Sequence, residues 1–538
     1  MVQLAKTYTL TVGNFGLDLR NVKSQLQDTF LISAKNVVCR QGFIENRKHA
    51  VKLVGSENPI RMLYYFTEYD LTIAATDNKI FILNRLNQLI TEKSGYSSGN
   101  WSIAYFNHRL FLVNGLDVVQ TIYSNAPESF VIENADITGP SSLAFSFVGV
   151  ANNQLCFGVN SSLSFYFLPV GNVSGAASLF DLSTAIGSTR KGGSLVAIHN
   201  LPRDSGIGMQ DYVCMFTDQG EVVVYKGNDF SDPAGFEFCG LYQTYPFVGK
   251  NFITKYGNDL LLITTNGIMT MSDIISTSLS QSTGAIFSAP INQQFTTYNY
   301  ALKGFMGCVV PQEDFILFNI PRPNDKSIQW VMDLATHRWS SFVDINAHCM
   351  INAHNDTRLL FGLDDGIYEY TNDSVPSNDY VVSEVKTSYT PMSNFNNKQF
   401  NLFNARLQST APLNISYTIH KNINDASYYE FISDNGIAVS EMTASGFFAI
   451  DDPTVDALHN DELFYWAIND EVIDESHRLA FLEAGTSGSY GSYSEDSKWH
   501  SGSGLSRNFA LTLQTKTNRI SYRLYDIIFK YTEAIGTI

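Results

Sequence analysis

The sequence is poor in charge and in cysteine. Only 16% of its 538 residues are Asp, Glu, Lys or Arg, below the roughly one quarter that is typical of soluble domains. The six cysteines are far apart and form no Cys-x-x-Cys pair: Cys39, Cys156, Cys214, Cys239, Cys308 and Cys349. This spacing favours buried free thiols over disulfides and therefore a reducing compartment.

Targeting and membrane signals are also missing. The start, MVQLAKTYTLTVG, lacks the positive-then-apolar pattern of a secretory signal. No apolar run approaches the length that crosses a bilayer. We therefore expect a soluble chain that is made in a cytoplasm and does not insert into a membrane.

Recognisable catalytic and cofactor motifs are absent from the sequence. It contains no phosphate-binding loop, dinucleotide fingerprint, HExxH, GxSxG or sialidase-type Asp box. His348 and His354 would share one face of an extended strand about 20 Å apart, too far for one metal ion. Glu471, Asp474 and Glu475 lack the glycine and spacing of a calcium loop. We predict no catalytic, cofactor or metal site.

The net charge of −17 argues against a protein that grips nucleic acid, which needs clustered Lys and Arg. The charge is uneven. Residues 421–500 hold 16 acidic and three basic residues, whereas residues 1–60 hold eight basic and four acidic residues. Residues 421–500 form an acidic module or, equally well, a solvated surface.

What the sequence does contain is a repeated hairpin pattern. Seven segments read as an apolar strand, a polar turn and a second strand, starting at Leu71, Leu110, Leu155, Tyr212, Leu260, Phe315 and Leu359. Consecutive starts lie 39 to 57 residues apart. A period of about 40–50 residues with several strands per unit is typical of a β-propeller.

We therefore predict a mainly β fold with a six- or seven-bladed propeller and a C-terminal β-sandwich-like domain that carries an acidic, mixed α/β insertion. The expected divisions are residues 1–60, with strands that close or flank the propeller; 61–372, the propeller itself; 373–420 together with 501–538, the C-terminal β domain; and 421–500, the acidic insertion. The Gly- and Ser-rich segment at 171–194 is predicted to be a loop that emerges from the propeller.

The stretch MDLATHRWSSF groups Asp333, His337, Arg338 and Trp339 within a few residues. It could be a catalytic cluster. Because it closes the sixth hairpin, we interpret it instead as a bend whose Asp and Thr bond the turn backbone, with the Trp packed between blades.

Three segments resemble one protein family. They are GLDLRNVKSQLQDTFLISAKNVVCRQGFIENRKH from Gly16, the run that ends in WVMDLATHRWSSF and LLFGLDDGIYEY, and the tail SRNFALTLQTKTNRISYRLYDIIFKYTEAIG. They are similar to the tail nozzle, or packaged-DNA stabilisation, proteins of short-tailed bacteriophages. The resemblance is best over residues 11–49 and roughly 290–372, and the last 30 residues support it. Family members often continue the GFIENRKH region with Pro-Gly, where this chain has AVKL.

The resemblance implies a structural virion protein without enzymatic activity, assembled in the host cytoplasm and located in the tail. It implies a homohexameric ring below the portal and adaptor proteins that extends the DNA channel, retains packaged DNA and carries fibres, a spike or a needle. Heterologous contacts between propeller loops would close such a ring. Carboxylates lining its channel would let DNA slide past without adhering.

The candidate residues follow from the charge pattern. The acids proposed for the channel or an interface are Asp451, Asp452, Asp461, Glu462, Asp470 and Glu471, and the basic residues proposed to face a partner are Arg40, Arg47 and Lys48. Two alternatives stay open at this point. The chain could be a carbohydrate-binding or carbohydrate-active propeller, which needs several acids at one end of a tunnel, or a non-viral propeller scaffold.

Overall fold

A computed structural model describes most of the chain. The described residues are 5–12, 14–20, 26–126, 129–183, 191–204, 209–232, 235–276, 287–323, 325–355, 357–394, 396–411, 413–421, 480–482, 494–496 and 499–533. The fold is mainly β, as predicted, and it forms two compact units. The repeat unit comprises Lys52–Gln329 and Asp344–Tyr370, and the terminal unit comprises Met1–Val51, Trp330–Val343 and Thr371–Ile538.

Five strands precede the first repeat: β1 (Lys6–Thr11), β2 (Leu31–Lys35), β3 (Val37–Arg40), β4 (Phe43–Asn46) and β5 (His49–Gly55). The first four belong to the terminal unit, and β5 runs from one unit into the other. The prediction grouped residues 1–60 as strands that close or flank the propeller.

The repeat unit contains seven groups of paired strands, which we call sheets 1 to 7 in chain order; six are separate sheets, and sheet 6 is part of a nine-stranded sheet. Sheet 1 is β6 (Met62–Phe66), β7 (Leu71–Ala75), β8 (Lys79–Leu83) and β9 (Leu89–Ser94). Sheet 2 is β10 (Ser102–Phe106), β11 (Arg109–Val113), β12 (Gln120–Ala126) and β13 (Ser129–Asn134). A short parallel pair, β14 (Ile137–Thr138) and β18 (Gly175–Ala176), flanks sheet 3, which is β15 (Val148–Ala151), β16 (Gln154–Gly158), β17 (Ser164–Phe167) and β19 (Ser178–Asp181).

Sheet 4 is β20 (Leu195–Asp204), β21 (Met209–Thr217), β22 (Glu221–Lys226) and β23 (Glu237–Gln243). Sheet 5 is β24 (Ile253–Tyr256), β25 (Asp259–Thr264) and β26 (Gly267–Thr270). Sheet 6 is β27 (Met306–Val310), β28 (Phe315–Arg322) and β29 (Asp325–Asp333), whose last residues lie in the terminal unit. Sheet 7 is β31 (Cys349–Ala353), β32 (Arg358–Leu363) and β33 (Gly366–Thr371), completed by β5.

The seven predicted hairpins are confirmed, because each pairs the second and third strands of one sheet. The second strand of each sheet is almost wholly buried, as β7 and β16 show. The outermost strand of sheet 1, β9, is instead largely exposed. Continuous apolar runs fit strands that are covered on both faces. The turn at Gly220 requires glycine, because its φ is +78° and a Cβ there would lie 2.4 Å from the Tyr245 carbonyl oxygen.

Each sheet packs against the next, and sheet 7 packs against sheet 1. Single apolar cores join sheet 1 to 2, sheet 2 to 3 and sheet 3 to 4. Ring contacts of Phe216 with Phe252 join sheet 4 to 5, and a bridge from Asn251 to Met306 joins sheet 5 to 6. The backbone N–H of Met350 contacts the sulfur of Met306 between sheets 6 and 7, and a last core joins sheet 7 to sheet 1.

Helices are few and short in the described part of the chain. They are η1 (Thr67–Tyr69), α1 (Met271–Ser276), η2 (Ala289–Ile291), α2 (Asn292–Phe295) and η3 (Pro311–Glu313). Within that part, every helix is too short or too polar to span a bilayer.

The terminal unit adds β30 (Trp339–Phe342), β34 (Val381–Thr387), β35 (Lys398–Ser409), β36 (Leu413–Lys421), β37 (Ala480–Leu482), β38 (Ser494–Asp496), β39 (Trp499–Ser506), β40 (Phe509–Thr517) and β41 (Tyr522–Glu533). One sheet has the order β3-β4-β41-β35-β38, with β1 on β41 and β39 on β35; the other is the part of the nine-stranded sheet that runs β30-β2-β34-β40-β36-β37. The two sheets face each other across an aromatic core, in which the ring centroids of Phe403 and Tyr417 are 4.6 Å apart.

All six cysteines are free thiols, as predicted, and every one except Cys239 is buried. Burial raises the pKa of Cys39 to about 12. A thiol with so high a pKa is protonated at neutral pH and therefore a poor nucleophile.

Candidate functional site

The stretch around Asp333 is a structural turn. One carboxylate oxygen of Asp333 accepts hydrogen bonds from the backbone N–H of Thr336 (2.9 Å) and from its hydroxyl (2.6 Å), and the other accepts from the Arg40 guanidinium (2.8 Å). His337, at φ +56°, closes the bend by donating its backbone N–H to the Asp333 carbonyl. The prediction that turn chemistry places this acid and this histidine is confirmed.

Trp339 was expected to pack between blades, and this was wrong. It lies in the terminal unit with 1% of its surface exposed, where its carbonyl accepts the backbone N–H of Leu17 at 2.9 Å. A Cβ on Gly16 would lie 2.9 Å from the Trp339 backbone nitrogen, and the φ of Gly16 is +72°. Only glycine fits this approach without strain.

Asn36 forms hydrogen bonds to several chain segments of the terminal unit. It is 1% exposed and left-handed, with φ +55°. Its side-chain oxygen accepts from the Arg47 Nε (2.8 Å) and from the backbone N–H of Val343 (2.9 Å), and its Nδ2 donates to the Val382 carbonyl (2.7 Å). Its backbone N–H donates to the Ser341 carbonyl at 2.7 Å. One side chain thus ties three chain segments together.

Asn46 makes the matching link to the last strands. Its Oδ1 accepts the backbone N–H of Tyr522 at 2.9 Å, and its Nδ2 donates to the Ile520 carbonyl at 2.8 Å. We call Gly16, Leu17, Asn36, Asn46, Trp339 and Tyr522 the three-segment junction. Its chemistry is a fixed hydrogen-bond network that holds the N-terminal, central and C-terminal segments in register.

The predicted basic residues lie beside this junction. Arg47 is 5% exposed and also donates to the Lys48 carbonyl. Arg40 pairs with Glu45 (2.7 Å) as well as with Asp333. Both guanidinium groups are thus bonded inside the unit, and Lys48 is half-buried.

His348 and His354 lie at opposite ends of β31, so the structure does not bring them together. The Nε2 of His348 is 2.6 Å from Asp364, and the Nδ1 of His354 is 2.6 Å from Asp70. Each histidine therefore has its own carboxylate partner. Among the described residues, no group of three or more His, Cys, Asp or Glu is arranged to hold a metal ion.

One polar contact was missed from the sequence. Lys250, just before sheet 5, donates from Nζ to the backbone carbonyls of Asn100 (3.3 Å) and Asn114 (3.1 Å) in sheet 2. Burial, helped by the charge of Lys303, lowers its pKa to about 8. A lone lysine in FVGKNF carries no motif, and only the folded chain brings these groups together.

The six candidate acids from Asp451 to Glu471 lie outside the described residues. So do residues 184–190 of the predicted loop at 171–194 and residues 474–475. Within the predicted insertion, β37 pairs with β36 and β38 pairs with β35, so these short pieces extend the two sheets of the terminal unit.

No protein-family model matches the sequence, and no curated protein matches it. Among solved structures, it is similar to the crystal structure of the computationally designed Ika8 protein, at 11% identity and a TM-score of 0.36, covering 60% of this chain and 99% of that one. It is also similar to the structure of U3-55K, at 11% identity and a TM-score of 0.35, covering 59% and 91%. TM-scores this low carry no argument about fold or function.

Proposed function

We propose that the repeat unit is a seven-bladed β-propeller and that the terminal unit is a β-sandwich. The sheet-to-sheet packing supports the first part, since the series returns from sheet 7 to sheet 1. Strand β5 supports it as well. It completes sheet 7 from the N-terminal side, with the Ser56 N–H donating to the Asp365 carbonyl at 2.8 Å. A strand that precedes sheet 1 in the chain thus completes the last sheet of the series, as expected if the series closes on itself.

We further propose that the chain is a structural virion protein, a tail nozzle subunit of a short-tailed bacteriophage, with no enzymatic activity. The observation that carries this proposal is the three-segment junction. Within the terminal unit, Asn36 links the N-terminal segment to the WVMDLATHRWSSF part of the central segment, and Asn46 links it to the C-terminal segment. The rest of the central segment, including LLFGLDDGIYEY, lies in the repeat unit, so the junction supports the proposal through parts of all three segments.

In this role, the subunits form a homohexameric ring in the virion tail after assembly in the host cytoplasm. The ring extends the DNA channel, retains the packaged DNA and lets it pass on ejection. Its partners are portal or adaptor proteins above and fibre, spike or needle proteins at the sides or below. Loops between strands supply the unlike surfaces that a head-to-tail ring needs.

The acidic module fits the same role. Its excess of carboxylates would repel the phosphates of passing DNA and prevent adhesion. Neutralising the six candidate acids should then slow DNA ejection. An unchanged ejection rate would place this module on an outer face of the ring.

The proposal is tested by complementation. Purified full-length chain is added to particles assembled without it, and the fraction of DNA protected from nuclease is measured. We expect protection to rise with added wild-type chain and to stay low with Asn36→Ala, which disrupts the junction, whereas the surface control Asn87→Ala protects as wild type does. Particles that neither bind the chain nor gain protection would contradict the proposal, and so would hydrolysis in a glycan screen.

A further inference from the structure

Lys250 connects two sheets that are not neighbours. It lies on the approach to β24, the first strand of sheet 5. Its Nζ is 3.3 Å from the carbonyl of Asn100, which precedes β10, and 3.1 Å from that of Asn114, in the turn between β11 and β12. Both acceptors therefore belong to sheet 2.

The order of packing shows what this contact crosses. Sheet 2 shares its two apolar cores with sheets 1 and 3, whereas sheet 5 packs against sheets 4 and 6. In a closed series of seven, two intervening sheets separate 2 from 5 on one side and three on the other. A direct contact between them therefore spans the middle of the series.

The two acceptors are held in place by sheet 2 itself. The Asn114 Oδ1 accepts the backbone N–H groups of Leu116 (3.0 Å) and Asp117 (2.8 Å), and its Nδ2 donates to the Ser98 carbonyl (3.0 Å). Asn114 is 6% exposed. This turn links the segment that ends at Asn100 to the turn at Asn114, which brings the two carbonyls within reach of one ammonium.

The lysine side chain suits this position. An ammonium has three donors and no acceptor, and its four-carbon stem lets the charge reach across a gap. Lys250 is half-buried, and its depressed pKa of about 8 still leaves most of the amine protonated at neutral pH. Lys303 is exposed, precedes β27 of sheet 6 and helps to lower the pKa of Lys250 by its charge, so replacing it removes a nearby positive charge but neither of the two hydrogen bonds.

We propose that Lys250 is a cross-ring tie, which joins sheets 5 and 2 over the centre of the propeller and occupies the place where a ligand entering from that end would bind. The inference rests on the circular fold included in the proposed function and not on the virion role. In the alternative carbohydrate-active propeller, a ligand at this end would have to displace Lys250.

Hydrogen exchange followed by mass spectrometry tests the tie in the full-length protein. Lys250→Met keeps the stem and removes the donors, and Lys303→Met is the control. We expect amide exchange in residues 97–102 and 114–119 of sheet 2 to accelerate about tenfold in Lys250→Met. The variant loses the charge-assisted hydrogen bonds from Lys250 to the Asn100 and Asn114 carbonyls. Lys303→Met should leave both segments unchanged.

Two results would overturn the proposal: unchanged exchange in sheet 2 of a folded Lys250→Met protein, or equal acceleration in Lys303→Met. If Lys250→Met does not fold, Lys250→Gln takes its place, since its shorter side chain cannot reach both carbonyls and the same segments must exchange faster. These outcomes are independent of complementation. A failure of the chain to protect DNA would not contradict the cross-ring tie, and the absence of the tie would not contradict the nozzle role.

Discussion

The most informative perturbation of the terminal unit is Asn36→Ala. It removes three side-chain hydrogen bonds, to Arg47, Val343 and Val382. The two neutral bonds contribute about 1 kcal/mol each and the bond from the charged Arg47 about 2 kcal/mol. Alanine at φ +55° adds about 1 kcal/mol of backbone strain. We expect a loss of about 5 kcal/mol in the free energy of unfolding of this unit.

Two further variants separate these contributions. Asn36→Gly removes the same hydrogen bonds without the strain, so it should cost about 1 kcal/mol less than Asn36→Ala. Asn87→Ala changes an asparagine of similar backbone conformation, φ +61°, in the repeat unit. It should cost only about 1 kcal/mol, because strain is the main effect there.

The assay is guanidinium unfolding combined with hydrogen exchange, which assigns the loss to one unit. In Asn36→Ala, amides of β34, β35 and β41 should exchange faster, whereas those of sheets 1 to 3 should keep their protection. A loss below about 1 kcal/mol, or equal losses in Asn36→Ala and Asn87→Ala, would refute the role given to the junction.

Four further outcomes follow. Asp333→Asn should destabilise the terminal unit by about 2 kcal/mol in denaturant titrations and abolish no reaction; a lost enzymatic activity would contradict the turn assignment. Phe403→Ala should cost about 4 kcal/mol, since its ring is 1% exposed, and a loss under about 1 kcal/mol would argue against the aromatic core. Burial alone would raise the pKa of Glu384, but Lys35 and hydrogen bonds lower the pKa below its usual 4.5. The ionised Glu384 therefore stabilises the fold above that pH, and this stabilisation is lost as the pH falls through the folded pKa. Glu384→Gln should flatten the acid side of the pH–stability curve, and an unchanged slope would contradict this. Finally, a thiol reagent should label Cys239 alone in the native protein and all six cysteines in denaturant, and native labelling of several thiols would overturn the burial of the others.

The hairpins were predictable and the junction was not, for a physical reason. Alternating apolar residues and turn formers are local, so the seven hairpins can be recognised within about twenty residues each. The bond between Asn36 and Ser341 joins residues 305 positions apart, and such pairing leaves no local periodicity. Trp339 was therefore assigned to a blade, when its partners are Gly16 and Leu17.

The candidate residues show the same limit. Composition alone cannot distinguish a partner-facing arginine from a buried one. Arg47 is buried, and its guanidinium donates a hydrogen bond to Asn36. Likewise, nothing in FVGKNF distinguishes Lys250 from an ordinary surface lysine. Its contact depends on two carbonyls in a different sheet.

The account's central claim is that this chain is a ring-forming structural subunit. Electron microscopy of the purified full-length chain, with its mass measured by light scattering on the same sample, tests this most directly. We predict closed rings with a central hole and a mass six times that of one chain. Particles with the mass of a single chain at all concentrations, without rings, would contradict it.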